Sequence, residues 1–152
     1  TFDSDGVATR EREVVVDGVL NGYFLSAYSA RKLGMQSTGN AGGCHNLVVK
    51  PGRHNFEALL KKMGRGLVVT ELLGQGVSLI TGDYSRGAAG YWIENGRIAY
   101  PVHEITIAGN LREMFNSIIA VGSEIDTRGN VRTGPIRLAE VTIAGDSGGD
   151  EE

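Results

Sequence analysis

Apolar residues along this chain fall in short runs, and glycine punctuates nearly every one of them. The longest organised stretch is Gly66 to Tyr100. It opens on Leu67-Val68-Val69-Thr70, β-branched and apolar, and closes on Tyr91-Trp92-Ile93-Glu94, Asn95-Gly96 and Arg97-Ile98-Ala99-Tyr100. Asn-Gly between two strand-like runs predicts a hairpin, because a type I′ turn needs two residues that tolerate φ > 0. Between these runs lies Gly82-Asp83-Tyr84-Ser85-Arg86-Gly87-Ala88-Ala89-Gly90. Four polar residues set among glycines and alanines predict a backbone passing close to something: another strand, a second chain or a ligand.

The flanking pattern predicts shorter elements. Glu13 to Val19 reads as a strand with a turn at Asp17-Gly18. Leu20, Tyr23, Phe24, Ala27 and Tyr28 fall on one helical face, and Arg31-Lys32-Leu33-Gly34 supplies a C-terminal stop. Residues 39–43 read as a loop and Leu47-Val48-Val49 as a strand, broken by Pro51-Gly52. Asn55 caps a helix that faces inward with Phe56, Leu59, Leu60 and Met63 and ends at Gly64. Glu104 to Ile107 alternates as a strand. Asn110 with Glu113 resembles a capping box, opening a helix with Leu111, Met114, Phe115 and Ile118 inward. Val131 to Ile143 is strand-like, interrupted at Gly134-Pro135. One motif recurs: Glu104-Ile-Thr-Ile-Ala-Gly-Asn110 and Glu140-Val-Thr-Ile-Ala-Gly-Asp146, read as two similar strands ending in glycine turns. The expected fold is α+β, mainly antiparallel sheet with two or three short helices. Residues 1–10 are expected to form a flexible exposed arm, 11–145 the domain, and 146–152 a disordered tail.

Composition narrows the class. The 152 residues fit one domain with a real core. Fifteen Lys and Arg against 18 Asp and Glu give no basic face for nucleic acid. No apolar run approaches the roughly 18 residues of a membrane span, and the charged start shows no signal peptide. One cysteine, Cys44, excludes an internal disulfide framework and suits a reducing compartment. The chain starts in charged sequence without Met, as expected of a fragment of a longer protein.

Candidate chemistry is sparse. Cys44-His45 with His54 matches no zinc spacing and shows no fourth ligand, so a structural Cys-His pair is the favoured reading. His103-Glu104 lacks the second histidine one turn on that a zinc-protease helix requires. Gly74-Gln75-Gly76 precedes no helix and carries no phosphate-loop lysine. Ser37, Thr38 and Ser85 lack the context of an activated nucleophile. Asp83 and Arg86 are expected either to clamp a peptide or to pair as a turn-stabilising ion pair. Tyr91-Trp92 reads as core rather than a stacking platform. No catalytic set is complete.

Several segments together resemble the C-terminal part of the TldD/PmbA family, once called modulators of DNA gyrase. They are Tyr28 to Gly34, Ser37 to Gly43, Gly66 to Leu72, Gly74 to Ser78, Thr81 to Gly90 and Glu104 to Leu111, within a match covering about residues 12 to 145. The likeness is to the PmbA (TldE) branch, whose members are about three times longer. It implies a subunit of a heterodimeric cytoplasmic metalloprotease that trims peptides, a microcin precursor and an antitoxin among them. In the TldD branch, zinc sits on a HExxxH helix upstream of the part matched here, plus a cysteine near the C-terminal end. That cysteine's place falls at Val131-Arg132-Thr133-Gly134, most closely Thr133, and threonine is a poor zinc ligand beside thiolate. The resemblance therefore implies no metal or cofactor on this chain, zinc on a TldD-like partner, and a non-catalytic scaffold or peptide-channel role. Expected partners are a TldD-like subunit or a second copy, and a peptide. Expected contact residues are Ser37, Thr38, His45, Asp83, Tyr84, Ser85 and Arg86. The competing expectation is a peptidase active as a homodimer, with its ligands in the absent N-terminal region.

Overall fold

The computed structural model describes residues 1–145; the tail expected to be disordered lies outside the described residues. The chain divides into two compact units rather than the one domain expected from length. One comprises Thr1–Val48 with Arg128–Val131, the other Val49–Thr127 with the chain from Arg132 onward.

The second unit is organised on a four-stranded antiparallel sheet in the order β10-β6-β5-β4. Its strands are β4 (Gly66–Leu73), β5 (Asp83–Glu94), β6 (Arg97–Asn110) and β10 (Thr142–Ala144). The hairpin read from Asn95-Gly96 forms as expected: both residues sit at positive φ, 52° and 71°. Gly96 is required twice over. Any side chain there would strike the backbone of Lys61, because helix α2 (Phe56–Met63) lies against the turn and the Gly96 N–H donates to the Gly64 carbonyl at 2.8 Å. The Asn55 side chain caps α2 by accepting from Ala58 N–H, and Gly64 ends it. Leu59 and Leu60 of α2, Ala88 and Ile93 of β5, and Ile107 of β6 form the buried core, with Ile93 wholly enclosed.

The close approach anticipated for Gly82–Gly90 is made by neighbouring strands. β5 is central and paired on both sides. A methyl group on Gly90 would overlap the Val68 carbonyl oxygen of β4. Both flanking strands also carry an extra residue at this level. Thr70 is the surplus residue between the Val69–Gly90 and Glu71–Ala89 pairs. On the other side, His103 and Glu104 face the single residue Ala89. Glu104 takes φ 54°, a conformation costly for a residue with a Cβ. These paired bulges kink the sheet at Ala89, and the Thr70 hydroxyl donates to the Ala89 carbonyl at 3.3 Å.

The repeated motif pairs with itself. β10 lies antiparallel to β6 with Ile143 opposite Ile107, Thr142 opposite Ala108 and Ala144 opposite Thr106. Equivalent isoleucines thus meet at the centre of a local two-fold arrangement. Helix α3 (Leu111–Asn116) follows β6 directly. Its Asn110 cap accepts from Arg112 rather than completing the expected box with Glu113. No α3 residue is buried, and Phe115, expected inward, is 68% exposed. A second small sheet pairs β7 (Ile118–Val121) with β9 (Ile136–Leu138).

In the first unit, β1 (Val15–Val16) and β2 (Val19–Leu20) flank the expected turn, with Asp17 and Gly18 both at positive φ. The helix expected from Leu20 begins only at Ala27 and ends at Lys32 (α1), capped reciprocally by Ser26 and Ser29. Upstream of it the backbone groups bond to side chains instead. Arg12 Nη2 donates to the Tyr23 carbonyl at 2.6 Å, and Leu25 N–H donates to Thr38 Oγ1 at 2.7 Å. Residues 1–10, expected as a flexible arm, form a closed loop: Phe2 pairs with Ala8, and Thr9 N–H donates to the Thr1 carbonyl. Near the other end of this unit's sequence, Leu47 N–H of β3 (Leu47–Val48) donates to the Asn130 carbonyl, just before β8 (Val131–Arg132).

The kink yields a paired test. Glu104→Gly should leave the fold intact and raise its stability by up to about 1 kcal/mol, because glycine adopts positive φ without a Cβ clash. Gly90→Ala should lower it by about 2 kcal/mol or more, since the Val68 backbone cannot retreat. Urea denaturation of the two variants beside the parent chain checks both.

Candidate functional site

Asp83, Tyr84, Ser85 and Arg86 lie not in a turn but on the first residues of β5. Strand alternation puts Asp83 and Ser85 on one face and Tyr84 and Arg86 on the other. The ion pair considered for Asp83 and Arg86 therefore does not form. The Thr81 hydroxyl donates to Asp83 Oδ2 at 2.7 Å, while Arg86 Nη2 donates to the Leu72 carbonyl at 3.2 Å and its Nε to that of Leu73 at 3.4 Å. Arg86 thus braces the end of β4. The Ser85 hydroxyl makes no hydrogen bond to the described residues and is open to solvent.

The loop preceding Asp83 is tightly braced. Ser78 N–H donates to the Asp83 carbonyl, Ser85 N–H to the Gly76 carbonyl, and Gly82 N–H to the Ser78 carbonyl, all at 2.7–2.8 Å. Asn110 Nδ2 donates to the Thr81 carbonyl at 3.0 Å. At its apex Leu79 and Ile80 are 88% and 98% exposed, held out by a backbone that is itself well bonded.

Small residues suit the close backbone contact of an added strand, which makes Gly87–Gly90 and Gly42-Gly43 the expected strand-accepting surfaces. The structure corrects both. Gly87–Gly90 has no open edge, because β4 and β6 already take its two sides, and Gly42-Gly43 is a loop. Among the described residues the open edge beside this site belongs to β4, where Val69, Leu72 and Leu73 are exposed. The signal for it was present in the apolar run Leu67-Val68-Val69…Leu72-Leu73, which was read only as a strand.

In the first unit Ser37 and Thr38 act within the fold. Thr38 Oγ1 accepts from Leu25 N–H and lies within hydrogen-bond distance of the Tyr23 and Leu25 carbonyls and of Asn40 Oδ1. Ser37 Oγ donates to the Leu25 carbonyl at 3.2 Å. His45 lines a cavity of about 310 Å³ with Asp3, Ser4 and Cys44, and its Nε2 is 3.3 Å from the Phe2 carbonyl oxygen. Sequence reasoning passed over Asp3, although Asp two residues before another Asp and three before glycine is a common side-chain-capped turn. Its Oδ2 accepts from Ala41 N–H, and its Oδ1 from Asp5 and Val7 N–H, all at 2.9 Å. These bonds, that from Ala41 foremost, hold its carboxyl below its usual 3.8, outweighing the opposing effect of burial.

The described residues do not fit a zinc ion. No three His, Cys, Asp or Glu side chains among them, the Asp3, Cys44 and His45 of the cavity included, are arranged to hold a metal ion. Thr133 turns its hydroxyl to the Gly134 carbonyl at 3.0 Å, and His54 Nε2 is 2.8 Å from Lys62 Nζ.

The fold is α+β, built on an antiparallel sheet broken by paired bulges and carrying three short helices among the described residues. The chain belongs to the PmbA/TldA metallopeptidase C-terminal domain family, which matches residues 1–145. It is 59% identical over 144 residues to the metalloprotease PmbA of Escherichia coli O157:H7, covering 95% of this chain and 32% of that protein. It is 54% identical to the PmbA homolog of Haemophilus influenzae, with the same coverage, and 28% identical to the TldD homolog of that organism, covering 83% of this chain and 29% of that protein. Among solved structures, a putative modulator of DNA gyrase from Thermotoga maritima superposes with TM-score 0.86 at 39% identity, over 94% of this chain and 35% of that one. TldE from Thermococcus kodakarensis superposes with TM-score 0.83 at 28% identity, over 95% and 36%. The chain thus spans about a third of the length of these relatives.

Two outcomes follow from this geometry. The folded carboxyl of Asp3 titrates below its unfolded value, so its contribution is complete above the ordinary carboxylate range and is lost as pH falls through the depressed value. The Ala41 amide should therefore lose protection, measured against its intrinsic exchange rate at each pH, on acidification below about pH 4, and Asp3→Asn should show that loss already at neutral pH; protection factors read by NMR check this. Asp83→Ala with Arg86→Ala should cost about 0–1 kcal/mol, since both side chains bond near the surface and not to each other; thermal melts at matched concentration decide it.

Proposed function

We propose that this chain is the C-terminal domain of a PmbA (TldE)-like subunit in a TldD/TldE-type metalloprotease complex that processes peptides in the cytoplasm. In that complex it serves as a non-catalytic scaffold or peptide-channel domain. The observation that carries this reading is the gap between 59% and 54% identity to PmbA-named relatives and 28% to a TldD-named one. The donor chemistry of the described residues agrees with it. A zinc peptidase needs a metal to polarise the scissile carbonyl and activate water, with a carboxylate base beside it. Thr133 stands where the catalytic branch is expected to place a thiolate.

What the domain supplies on this reading is main-chain recognition. An extended peptide adds to an open strand edge through backbone hydrogen bonds and leaves sequence preference to side-chain pockets. The outer side of β4 offers such an edge, with Leu72 and Leu73 beside it and Arg86 fixing its end. Asp83 and Ser85 present a carboxylate and a hydroxyl from the adjacent strand.

The full-length parent protein, purified from a host lacking any TldD-like gene, should leave an unstructured test peptide intact. Mixed with a TldD-like subunit it should support cleavage that a chelator abolishes. Chelator-sensitive cleavage by the parent alone would favour the homodimeric peptidase instead.

A further inference from the structure

We infer that the outer edge of β10 is a self-association seam, where a second copy of this chain pairs its own β10 antiparallel with Ile143 of each copy on the two-fold axis. The inference concerns contacts between copies of this chain and stands apart from the peptidase reading.

Thr106-Ile107-Ala108 and Thr142-Ile143-Ala144 have the same sequence, and the fold already pairs them antiparallel about their central isoleucines. Three residues that pair with a copy of themselves in this way are self-complementary. Threonine meets alanine at both ends and isoleucine meets isoleucine in the middle, so neither steric bulk nor charge opposes the register. β10 presents the same three residues outward along its second side, where no strand pairs among the described residues. An antiparallel approach of two β10 strands repeats the observed side-chain pairing, with hydrogen bonds made by the backbone groups of β10 that point away from β6, and makes an isologous interface, in which each copy offers the same surface.

The other edges of this sheet are interrupted along their length, which leaves β4 open at its Leu72-Leu73 end, and β10 is not. The uncovered outer stretch of β6 contains Pro101, which has no N–H to give, and the bulge at Glu104. β4 carries the charged Glu71 next to its own bulge at Thr70. Proline, charge and bulges are the usual devices that keep strand edges from pairing with other chains. Thr142–Ala144 has none of them: no proline, no charge, an unbroken three-residue register and an isoleucine 41% exposed. The sequence on either side is acidic, with Glu140 before the strand and Asp146 after it. Each copy carries a formal net charge of -3, so added salt screens the repulsion between copies and tightens the seam.

A seam of three residues per copy is short, so the dimer is a weak one. Sedimentation equilibrium of the full chain from ~20 µM to ~1 mM should show the apparent mass rising from the 16.2 kDa of one chain toward twice that, and rising further with salt. Ile143→Lys should hold it at one chain with its melting curve kept. In a Cys44→Ser background, Ile143→Cys should form an intermolecular disulfide under mild oxidation. Glu57→Cys, on the exposed side of α2, should not do so at a comparable rate. A single-chain mass throughout, or equal cross-linking at both cysteines, would overturn the seam. So would a dimer in which Ile143→Cys fails to cross-link, since strands exchanged between copies keep Ile143 against Ile107. If Ile143→Lys fails to fold, the mass, its salt dependence and the cross-link still decide the question.

Discussion

One contact fixes the sheet: Gly90 pressed against the Val68 carbonyl. The central strand is paired on both sides, and at this point the backbone of β4 comes so near that a methyl group has no place. Close packing of this kind leaves little slack, and the flanking strands absorb the misfit by each adding a residue. Thr70 and the His103-Glu104 pair are therefore two sides of one adjustment around Ala89. Its consequences reach the surface. The kink separates the hairpin half of the sheet, which closes over Ile93 and α2, from the half that meets α3, β10 and the Leu79-Ile80 loop.

Much of this was legible in the sequence wherever a residue type has a single physical use. Asn95-Gly96, Asn55 and Gly64 each did what its conformational preference requires. Gly87–Gly90 correctly announced a close approach, but composition cannot say what approaches, and an adjacent strand, not a ligand, takes the space. Leu20 to Tyr28 misled because a helical spacing of apolar residues says nothing about competing partners. Arg12 and Thr38 are distant in sequence, yet their side chains hold the backbone groups a helix would need. Asp83 and Arg86 misled for the same reason: three residues apart in a turn they could meet, whereas in a strand they point to opposite faces. The antiparallel α+β architecture and the family were readable, while the division into two units was not, because it depends on contacts such as that between Leu47 and Asn130.

Membership of the PmbA/TldA metallopeptidase family sits easily with a chain that shows few chemical groups and much exposed backbone edge. No helix among the described residues is long and apolar enough to cross a membrane. Hydroxyls and carboxylates in this chain mostly serve the fold. Thr38 holds Leu25, Asp3 gathers three amides, and Asp83 receives the Thr81 hydroxyl. The surfaces left open among the described residues are strand edges and the projecting apolar apex at Leu79-Ile80.

The two-residue Asn95-Gly96 turn also sets the order in which contacts can form as the chain folds. It joins the two longest strands, so their ladder closes through the smallest possible loop, at low entropic cost and on the microsecond scale typical of hairpins. The first unit is assembled differently: Leu47 must find Asn130, a partner about 80 residues away, and a closure that long is slow. On a ribosome the distinction sharpens, because Asn130 emerges only after the whole β5–β6 ladder has been made. The hairpin can thus be in place before the earlier-synthesised unit is able to complete itself.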